Sequence, residues 1–255
     1  MSPDLFGGGG AAEAAPSLIL PAISFAVVVG VVVWEIVAQR RKPRYPQTSR
    51  RLCNIGLWLG NSALLGWLLG SGAMPGTWQL PAWASLVVSF LVLDWMSYQL
   101  HQIYHQVPWL WRLHALHHSD PDVDWSTAQR RHPLEYLLAG ALSVFVVREL
   151  GMPGWCVAVY GVVAFALAAL THANVRWPRW AERFFEPVLI TLDAHLLHHA
   201  IDAPDANFGG VLSIWDKLYG TYHWLCDEPE CGVQGVDARQ SCTLGGMLLT
   251  PWRVK

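Results

Sequence analysis

The sequence predicts an all-α integral membrane protein, with four to five transmembrane helices and a cytosolic histidine-rich helical cap. Three observations support this fold class. The 255 residues are 53% hydrophobic and 14% charged, which is more apolar than a typical soluble domain. Residues 52–93 contain no Asp, Glu, Lys or Arg, and ten of the eleven histidines lie between residues 101 and 199.

The charge and cysteine content narrow the class of protein further. A formal net charge of -2 gives no basic excess, so we expect no nucleic-acid partner. Five cysteines form no C-x-x-C pair, which argues against a disulfide framework or a zinc knuckle and favours reduced, structural thiols.

The apolar runs define the elements in chain order. Residues 1–16 contain a glycine run and are predicted to be a flexible N-terminal tail. The first span covers Ser17–Trp34, which is about the minimum length for crossing a bilayer. Glycine and proline breakers divide the next uncharged block into spans near 53–72 and 80–100. Two shorter runs, near 135–150 and 154–171, form a helical hairpin or two shallow crossings. We therefore expect a membrane domain over 17–225 and a C-terminal tail over 226–255.

Basic residues orient these spans. The loop 39–51 carries six Arg or Lys side chains, and cytoplasmic loops are enriched in such residues. Alternate crossing then places 1–16 and 73–79 outside, and 101–132 and 172–255 in the cytoplasm. We expect all the histidine clusters on the cytoplasmic side of a bacterial inner membrane.

Three histidine clusters have helical spacing. HQIYH at the end of the third span places two histidines four residues apart. HALHHSD has histidines at i, i+3 and i+4, and HLLHHAID repeats that spacing 81 residues later. Residues at these spacings share one face of a helix. Eight imidazoles can therefore converge from three segments: His101, His105, His114, His117, His118, His195, His198 and His199.

Eight converging imidazoles indicate two metal ions. Neutral imidazole is the commonest metal ligand, and eight exceed the capacity of one ion. Nitrogen ligation without clustered cysteine favours iron, with zinc as a possible substitute. His172, at the end of the fifth apolar run, is the predicted ninth ligand. His132 precedes a proline, which disfavours helix at this position, and is either a tenth ligand or a neighbour of the ligands.

Carboxylates near these histidines are candidate partners of the ligands. Metal-bound histidines usually donate their second N–H to a carboxylate or carbonyl. Asp94 shares a helical face with His101 and His105, and an acid inside a span is a functional-site hypothesis. Asp94 and Asp193 are therefore predicted to support the metal ligands.

These motifs resemble the fatty acid hydroxylase and sterol desaturase superfamily over roughly residues 85–225. The resemblance rests on HxxxH after a long span, VPWLWRLHALHHS, RHPLE at 131–135, HANVR at 172–176, the second HxxHH, and NFGG followed by LSIWDKLYGTY. Their order along the chain is that of the family. Gln102 departs from the family, since arginine often follows the first histidine there, and Arg176 stands where some members have another histidine.

The resemblance implies a membrane hydroxylase domain in which the histidines are the catalytic ligands of two iron ions that activate dioxygen. The substrate would be a lipid, either a fatty acyl chain, a sterol-like molecule or an aminolipid. Electrons would come from a cytochrome b-type or ferredoxin-type donor. Asn174 is expected to hold a water at one metal. Four arginines could bind a phosphate or carboxylate head group: Arg130, Arg131, Arg176 and Arg179.

Two other functions remain open besides lipid hydroxylation. A desaturase with the same site is the nearest alternative, because these residues do not separate the two reactions. A non-catalytic membrane metal-binding protein is less favoured, since a transporter would place its ligands near the bilayer midplane. A bis-histidine haem protein would carry histidine pairs on facing helices rather than HxxHH triplets.

Overall fold

The computed structural model describes residues 14–69, 78–202, 205–225 and 227–254. Within these ranges the regular structure is helical, apart from two isolated β-bridges. The prediction of an all-α protein is confirmed. Residues 1–13 of the predicted tail and 73–77 of the predicted outer turn lie outside the described residues, and the domain boundaries stay predictions.

The helices follow the predicted apolar runs. The six longer ones are α1 (Ala14–Val37), α2 (Gln47–Leu69), α3 (Ala82–Gln106), α4 (Pro108–His118), α5 (Pro133–Glu149) and α6 (Gly154–Thr171). The four shorter ones are α7 (Arg179–Phe185), α8 (Leu192–His198), α9 (Ile214–Tyr219) and α10 (Leu244–Leu248). Single 3-10 turns cover Trp125–Gln129, Gln240–Cys242 and Thr250–Trp252.

Three of the described helices can cross a membrane by length and composition. They are Ile19–Val37 within α1, Ala82–Gln106 and Gly154–Thr171. The membrane character of the fold is therefore confirmed, whereas the count of four to five spans stays a prediction. The hinge between the two shorter runs is present, since Gly151 has a φ of 60°, which is accessible to glycine at little cost.

A bend between α3 and α4 brings histidines of the two helices together. A single extended residue, Val107, separates the helices. Pro108 occupies the first position of α4, where the missing N–H of proline removes no helical hydrogen bond. The bend lets α4 turn back onto the end of α3, so that the Nε2 atoms of His101 and His114 lie 3.1 Å apart.

Buried ion pairs tie the basic segment 39–51 to the histidine-rich segments. Arg50 is completely buried and donates to Asp120 at 2.6 Å and to Asp124. Arg51 donates to Asp124 and to Glu35 of α1, each at 2.8 Å. The basic loop and the histidine segments therefore lie on one side of the helices, as the alternate crossing predicts.

The predicted C-terminal tail contains short helical elements that pack on the rest of the chain. Met247 of α10 is fully buried against Leu57 of α2 and Leu116 of α4. Arg130 donates to the carbonyl oxygen of Ser241 at 2.6 Å. This segment therefore covers the far side of the histidine helix α4.

Two adjacent glycines in α10 test this packing. A Cβ at Gly246 would lie 1.8 Å from the carbonyl oxygen of Gln240, whereas a Cβ at Gly245 would meet nothing within 4 Å. We expect Gly246→Ala to destabilise the protein by about 1–3 kcal/mol, because the backbone must shift. Gly245→Ala should be neutral or stabilising by up to about 1 kcal/mol. Thermal unfolding in detergent measures both, and equal midpoints for the two variants would contradict the packing of this segment.

Candidate metal centre

Nine of the ten predicted histidine ligands lie in two buried groups. In each group, one ring nitrogen per residue lies within 4.8 Å of the others. The first group contains His101, His105, His114, His118 and His198. The second group contains His117, His172, His195 and His199.

The helices α4 and α8 each contribute to both groups. On α4, His114 and His118 belong to the first group and His117 to the second. On α8, His198 belongs to the first, whereas His195 and the C-terminal cap His199 belong to the second. Residues i and i+4 share a helical face, and i+3 lies on the other side of i, rotated by about 60°. One HxxHH motif therefore supplies two neighbouring sites.

Backbone carbonyls fix the tautomer of three rings. The Nδ1 atoms of His101, His172 and His198 lie 2.8, 2.7 and 2.7 Å from backbone carbonyl oxygens of residues 208, 168 and 206. A carbonyl oxygen only accepts hydrogen bonds, so each Nδ1 carries a proton and each neutral ring presents a lone pair at Nε2.

The free lone pairs converge. The Nε2 atoms of His101 and His198 lie 3.0 Å apart, and in both rings the proton sits on Nδ1. In the second group, Nε2 of His172 lies 3.0 to 3.3 Å from Nε2 of His117, His195 and His199. The lone pairs of His101 and His198 at this separation repel one another unless a cation lies between them.

Burial keeps these rings neutral. It lowers the pKa of six histidines on or next to α4 and α8 well below the usual range: His114, His117, His118, His195, His198 and His199. Burial likewise lowers the pKa of His172 to about 4. A proton is therefore a poor counter-charge at neutral pH, and neutral imidazole is the form that binds metal.

The spacing of the nitrogens fits metal ions. Two nitrogens bound at right angles to one ion, with bonds of about 2.1 Å, lie roughly 3.0 Å apart. The observed Nε2 separations of 3.0 to 3.3 Å agree with this value. The protein therefore contains two buried all-nitrogen groups that can each hold a metal ion.

Glu135 supports the first group, a role that the sequence analysis did not assign. This carboxylate is fully buried, and its Oε1 lies 3.0 Å from Nδ1 of His114. A carboxylate on the second nitrogen of a ligating histidine fixes the ring and raises its basicity. An acidic residue at the start of an apolar run was the signal in the sequence, but the pairing with His114 depends on how α5 packs against α4.

Replacing Glu135 by glutamine tests this role. We expect Glu135→Gln to weaken metal binding in the first group by about 10-fold to 100-fold, because His114 loses its anionic partner. Glu149→Gln is the matched control, since Glu149 is exposed at the other end of α5. Metal retention during titration with a chelator measures the effect. Equal retention in both variants would mean that Glu135 does not support the metal ligands.

Asp94 acts on the histidines through a loop rather than by direct contact. It accepts hydrogen bonds from the backbone N–H groups of Val211 and Leu212 and from the indole of Trp215, at 2.9 to 3.2 Å. Asp216 accepts from the N–H groups of residues 208 and 209, each at 2.8 Å. Together the two acids hold the loop whose carbonyl groups accept from His101 and His198. The helical spacing predicted Asp94 near the site, whereas no sequence pattern assigned a role to Asp216.

Asn174 and Asp193 lie beside the basic segment. The side-chain amide of Asn174 accepts from the N–H of Arg41 at 3.0 Å and donates to its carbonyl oxygen at 2.7 Å. Asp193 accepts from Arg40 at 2.5 Å. Neither residue is in a histidine group. Their hydrogen bonds instead attach the segments next to His172 and His195 to the basic segment.

The predicted head-group arginines have different surroundings. Arg130 is completely buried, and its three side-chain nitrogens donate to acceptors of the protein, which leaves no surface for a lipid. Arg176 is 65% exposed and pairs with Glu228, and Arg179 lines a surface cleft beside it. Arg131 alone among the four lines a cavity that reaches the histidines.

His132 is in neither group. It caps the N-terminus of α5, where its Nδ1 accepts from the N–H of Leu134 at 3.2 Å. Its ring contacts Trp252, with 6.4 Å between the centroids. The sequence left His132 as a tenth ligand or a neighbour of the ligands; in the structure it lies outside both groups and caps α5.

An apolar cavity of about 350 Å³ runs from the histidines along three helices. The helix faces that line it carry many small side chains, including Ala139 and Ser143 of α5 and Gly161 and Ala164 of α6. The helix α6 packs against α1 and α3, whereas α5 packs against α2 and α4. Gly161 is exposed although it lines the cavity. The cavity therefore opens sideways, between helices, at the depth of the apolar runs.

A second cavity, of about 540 Å³, also reaches the first group. Its wall includes His105, His118 and His198 together with the polar side chains of Asp205 and Arg253. Different histidines of the first group thus line the two cavities, since His101 and His114 line the apolar one.

Comparisons with known proteins agree with this arrangement. Residues 86–221 match the family model described as fatty acid hydroxylase. An ornithine lipid hydroxylase of Rhizobium tropici is 30% identical over 57% of this chain and 44% of its own length. The alkylglycerol monooxygenase of Homo sapiens is 30% identical over 57% of this chain and 32% of its own length. A C-4 methylsterol oxidase of Schizosaccharomyces pombe is 28% identical over 54% of this chain and 48% of its own length. These matches span less than half of each relative, and no solved structure matches the chain.

Proposed function

Since this chain belongs to the fatty acid hydroxylase family, we propose that it is a membrane-bound oxygenase that hydroxylates a C–H bond of a lipid. The reaction converts one C–H bond to C–OH with one atom of dioxygen, and the other atom leaves as water. Two electrons and two protons complete this balance. The electrons would come from a donor of the cytochrome b or ferredoxin type.

This proposal rests on one observation, which is that histidines of both groups line the apolar cavity. His101, His114, His117, His172 and His195 all line its inner end. A lipid chain in the cavity therefore has its C–H bonds beside both groups. Relatives named as lipid hydroxylases, monooxygenases and sterol oxidases support the same chemistry.

We propose that the nine grouped histidines hold two iron ions. The group of five would hold one ion and the group of four the other. Iron bound there would supply the activation of dioxygen. The chain itself contributes neutral ligands, the carbonyl groups that orient them, and apolar walls that exclude water from the reacting bond.

The polar cavity is the proposed route for water and protons. It is lined by other histidines of the first group than the lipid cavity, and water can leave there without crossing the apolar walls. We propose that this cavity faces the cytoplasm of a bacterial cell, where a soluble or membrane-bound electron donor has access to it.

The experiment that tests the function combines metal analysis with isotope labelling. The full chain is purified with its lipids, its iron content is measured, and it is then supplied with reductant and ¹⁸O₂. We expect about two irons per chain and a lipid that gains one labelled oxygen atom. A product lacking two hydrogens and carrying no label would make the protein a desaturase. An iron-free preparation that is active without reductant would overturn the proposal.

A further inference from the structure

The side chain of Arg131 is an unpaired cation on the wall of the apolar cavity. It is half-buried, and in the described part of the chain no acceptor lies within hydrogen-bonding or ion-pairing distance of its guanidinium. The backbone is fixed, because Asn61 of α2 donates to the carbonyl oxygen of Arg131 at 2.9 Å. A cation in partly apolar surroundings is costly unless an anion accompanies it.

No acid of the described residues forms an ion pair with Arg131. Glu135 lies on the same cavity wall and interacts electrostatically with Arg131, but beyond ion-pair distance, and its carboxylate contacts His114 instead. Four other arginines near the histidine groups in the fold differ in this respect, since Arg40, Arg50 and Arg51 pair with acids and Arg130 is saturated by protein acceptors. An anion bound in the cavity could therefore form the ion pair that Arg131 does not form within the described protein.

Arg131 lies at the histidine end of the cavity. It lines the same cavity as His114 of the first group and as His117 and His195 of the second. At the other end, the cavity reaches Val147 of α5 and Val157 of α6, and the α5 residues between Glu135 and Val147 span about 18 Å at 1.5 Å per residue.

We infer that the lipid binds with an anionic group, a carboxylate or a phosphate, on Arg131 and with its apolar chain extended between α5 and α6 toward Val147. The inference rests on the proposed oxygenase function and makes it more specific. A planar guanidinium binds either oxyanion through two parallel hydrogen bonds. With the anionic group held beside the histidines, the oxidised carbon lies in the half of the chain nearest to that group.

Small side chains make room for such a chain. A Cβ at Gly161 would meet nothing within 4 Å, and Ala139, Ser143 and Ala164 also face the cavity. A larger side chain at residue 161 would fill the cavity without disturbing the backbone. The opening at this position lets the far end of the chain remain in the bilayer while the anionic end reaches Arg131.

Binding of four probes to the detergent-solubilised full chain tests the inference. The probes are palmitate, hexadecyl phosphate, dipalmitoyl phosphatidate and the neutral hexadecanol. We expect Arg131→Gln to weaken binding of at least one anionic probe by about 10-fold to 100-fold, with hexadecanol unchanged within about twofold. Arg131→Lys should retain most of the affinity. Arg112→Gln, which removes an exposed cation of α4, is the control and should change none of the affinities.

The pattern across the probes decides the outcome. If Arg131→Gln selectively loses binding of palmitate, the anion is a free carboxylate. If it selectively loses binding of phosphatidate, the anion is a phospholipid head group. Equal loss for anionic probes and hexadecanol, or no loss for any probe, overturns the inference. Gly161→Leu should weaken binding of all four probes, whereas Gly66→Leu on the exposed side of α2 should not.

The position of oxidation separates this inference from the proposed function. If the wild-type protein inserts oxygen in the half of the chain far from the anionic group, the orientation is wrong although the function holds. If no oxygen is inserted into any lipid, the proposed function fails, and the selectivity of the Arg131 variants among the probes still decides the binding mode. If Arg131→Gln folds poorly, two other results decide the binding mode. They are the affinity of Arg131→Lys for the anionic probes relative to the wild type, and the position in the lipid at which oxygen is inserted.

Discussion

The His172→Ala variant is expected to lose one of the two proposed metal ions and at least about 100-fold of the proposed lipid oxygenation rate. The Nε2 atom of His172 lies within 3.3 Å of those of the other three histidines in its group, so its loss leaves three ligands around an enlarged space. Even outer partners of ligating histidines contribute 10-fold to 100-fold to metal affinity or activity. A direct ligand should contribute more. Iron content per chain and ¹⁸O incorporation into lipid measure the two effects.

His132→Ala is the control for this prediction. His132 is buried and lies on the same side of the helices, but it contacts Trp252 and caps α5 rather than joining a histidine group. We expect its loss to lower stability by about 1 kcal/mol through the missing cap, with iron content and oxygenation rate retained. If His132→Ala loses iron while His172→Ala keeps it, the assignment of the second group is wrong.

Replacing Arg50 by methionine is expected to lower the free energy of unfolding by about 3–5 kcal/mol. The substitution keeps apolar volume but leaves Asp120 and Asp124 in a buried pocket without their shared cation, and breaking a buried ion pair by removing one partner carries a cost of this size. The guanidinium groups of Arg50 and Arg130 outweigh the effect of burial and lower the pKa of Asp120 to about 2. Asp120 is thus ionised in the native protein, and it lies two residues after the HxxHH motif of α4.

Arg44→Met is the matched control from the same basic segment. Arg44 pairs with Asp122 and Glu230, but its side chain is 48% exposed, and exposed ion pairs contribute less than about 1 kcal/mol. We expect a large fall in the unfolding midpoint for Arg50→Met and a small one for Arg44→Met. Similar midpoints would indicate that the basic segment only orients the chain in the membrane and does not hold α2 to α4.

The periodicity of apolar residues and histidines predicted most of the fold and the ligands. The runs 17–34 and 80–100 lie within α1 and largely within α3, and each HxxHH motif lies on or at the end of a short helix. These features depend on local spacing, because a helix places i, i+3 and i+4 on one side whatever it packs against. The same reasoning found His172 only through its position at the end of an apolar run.

The remaining features depend on contacts between distant segments. Spacing alone does not show that His114 and His117 belong to different groups, since the partner helices α3 and α6 decide this. Arg130 was a candidate for head-group binding because a basic residue near a membrane interface is usually exposed, whereas here α2 and the C-terminal segment surround it. Glu135 was not assigned because its partner, His114, is 21 residues away and on another helix.

The sharing of α4 and α8 between the two histidine groups also constrains the biogenesis of the protein. The first group requires His198 and the second requires His199, and both residues lie after the last described candidate membrane helix, Gly154–Thr171. Every described candidate membrane helix has therefore been synthesised before either group has its full set of ligands. Complete metal loading must follow the synthesis of these helices.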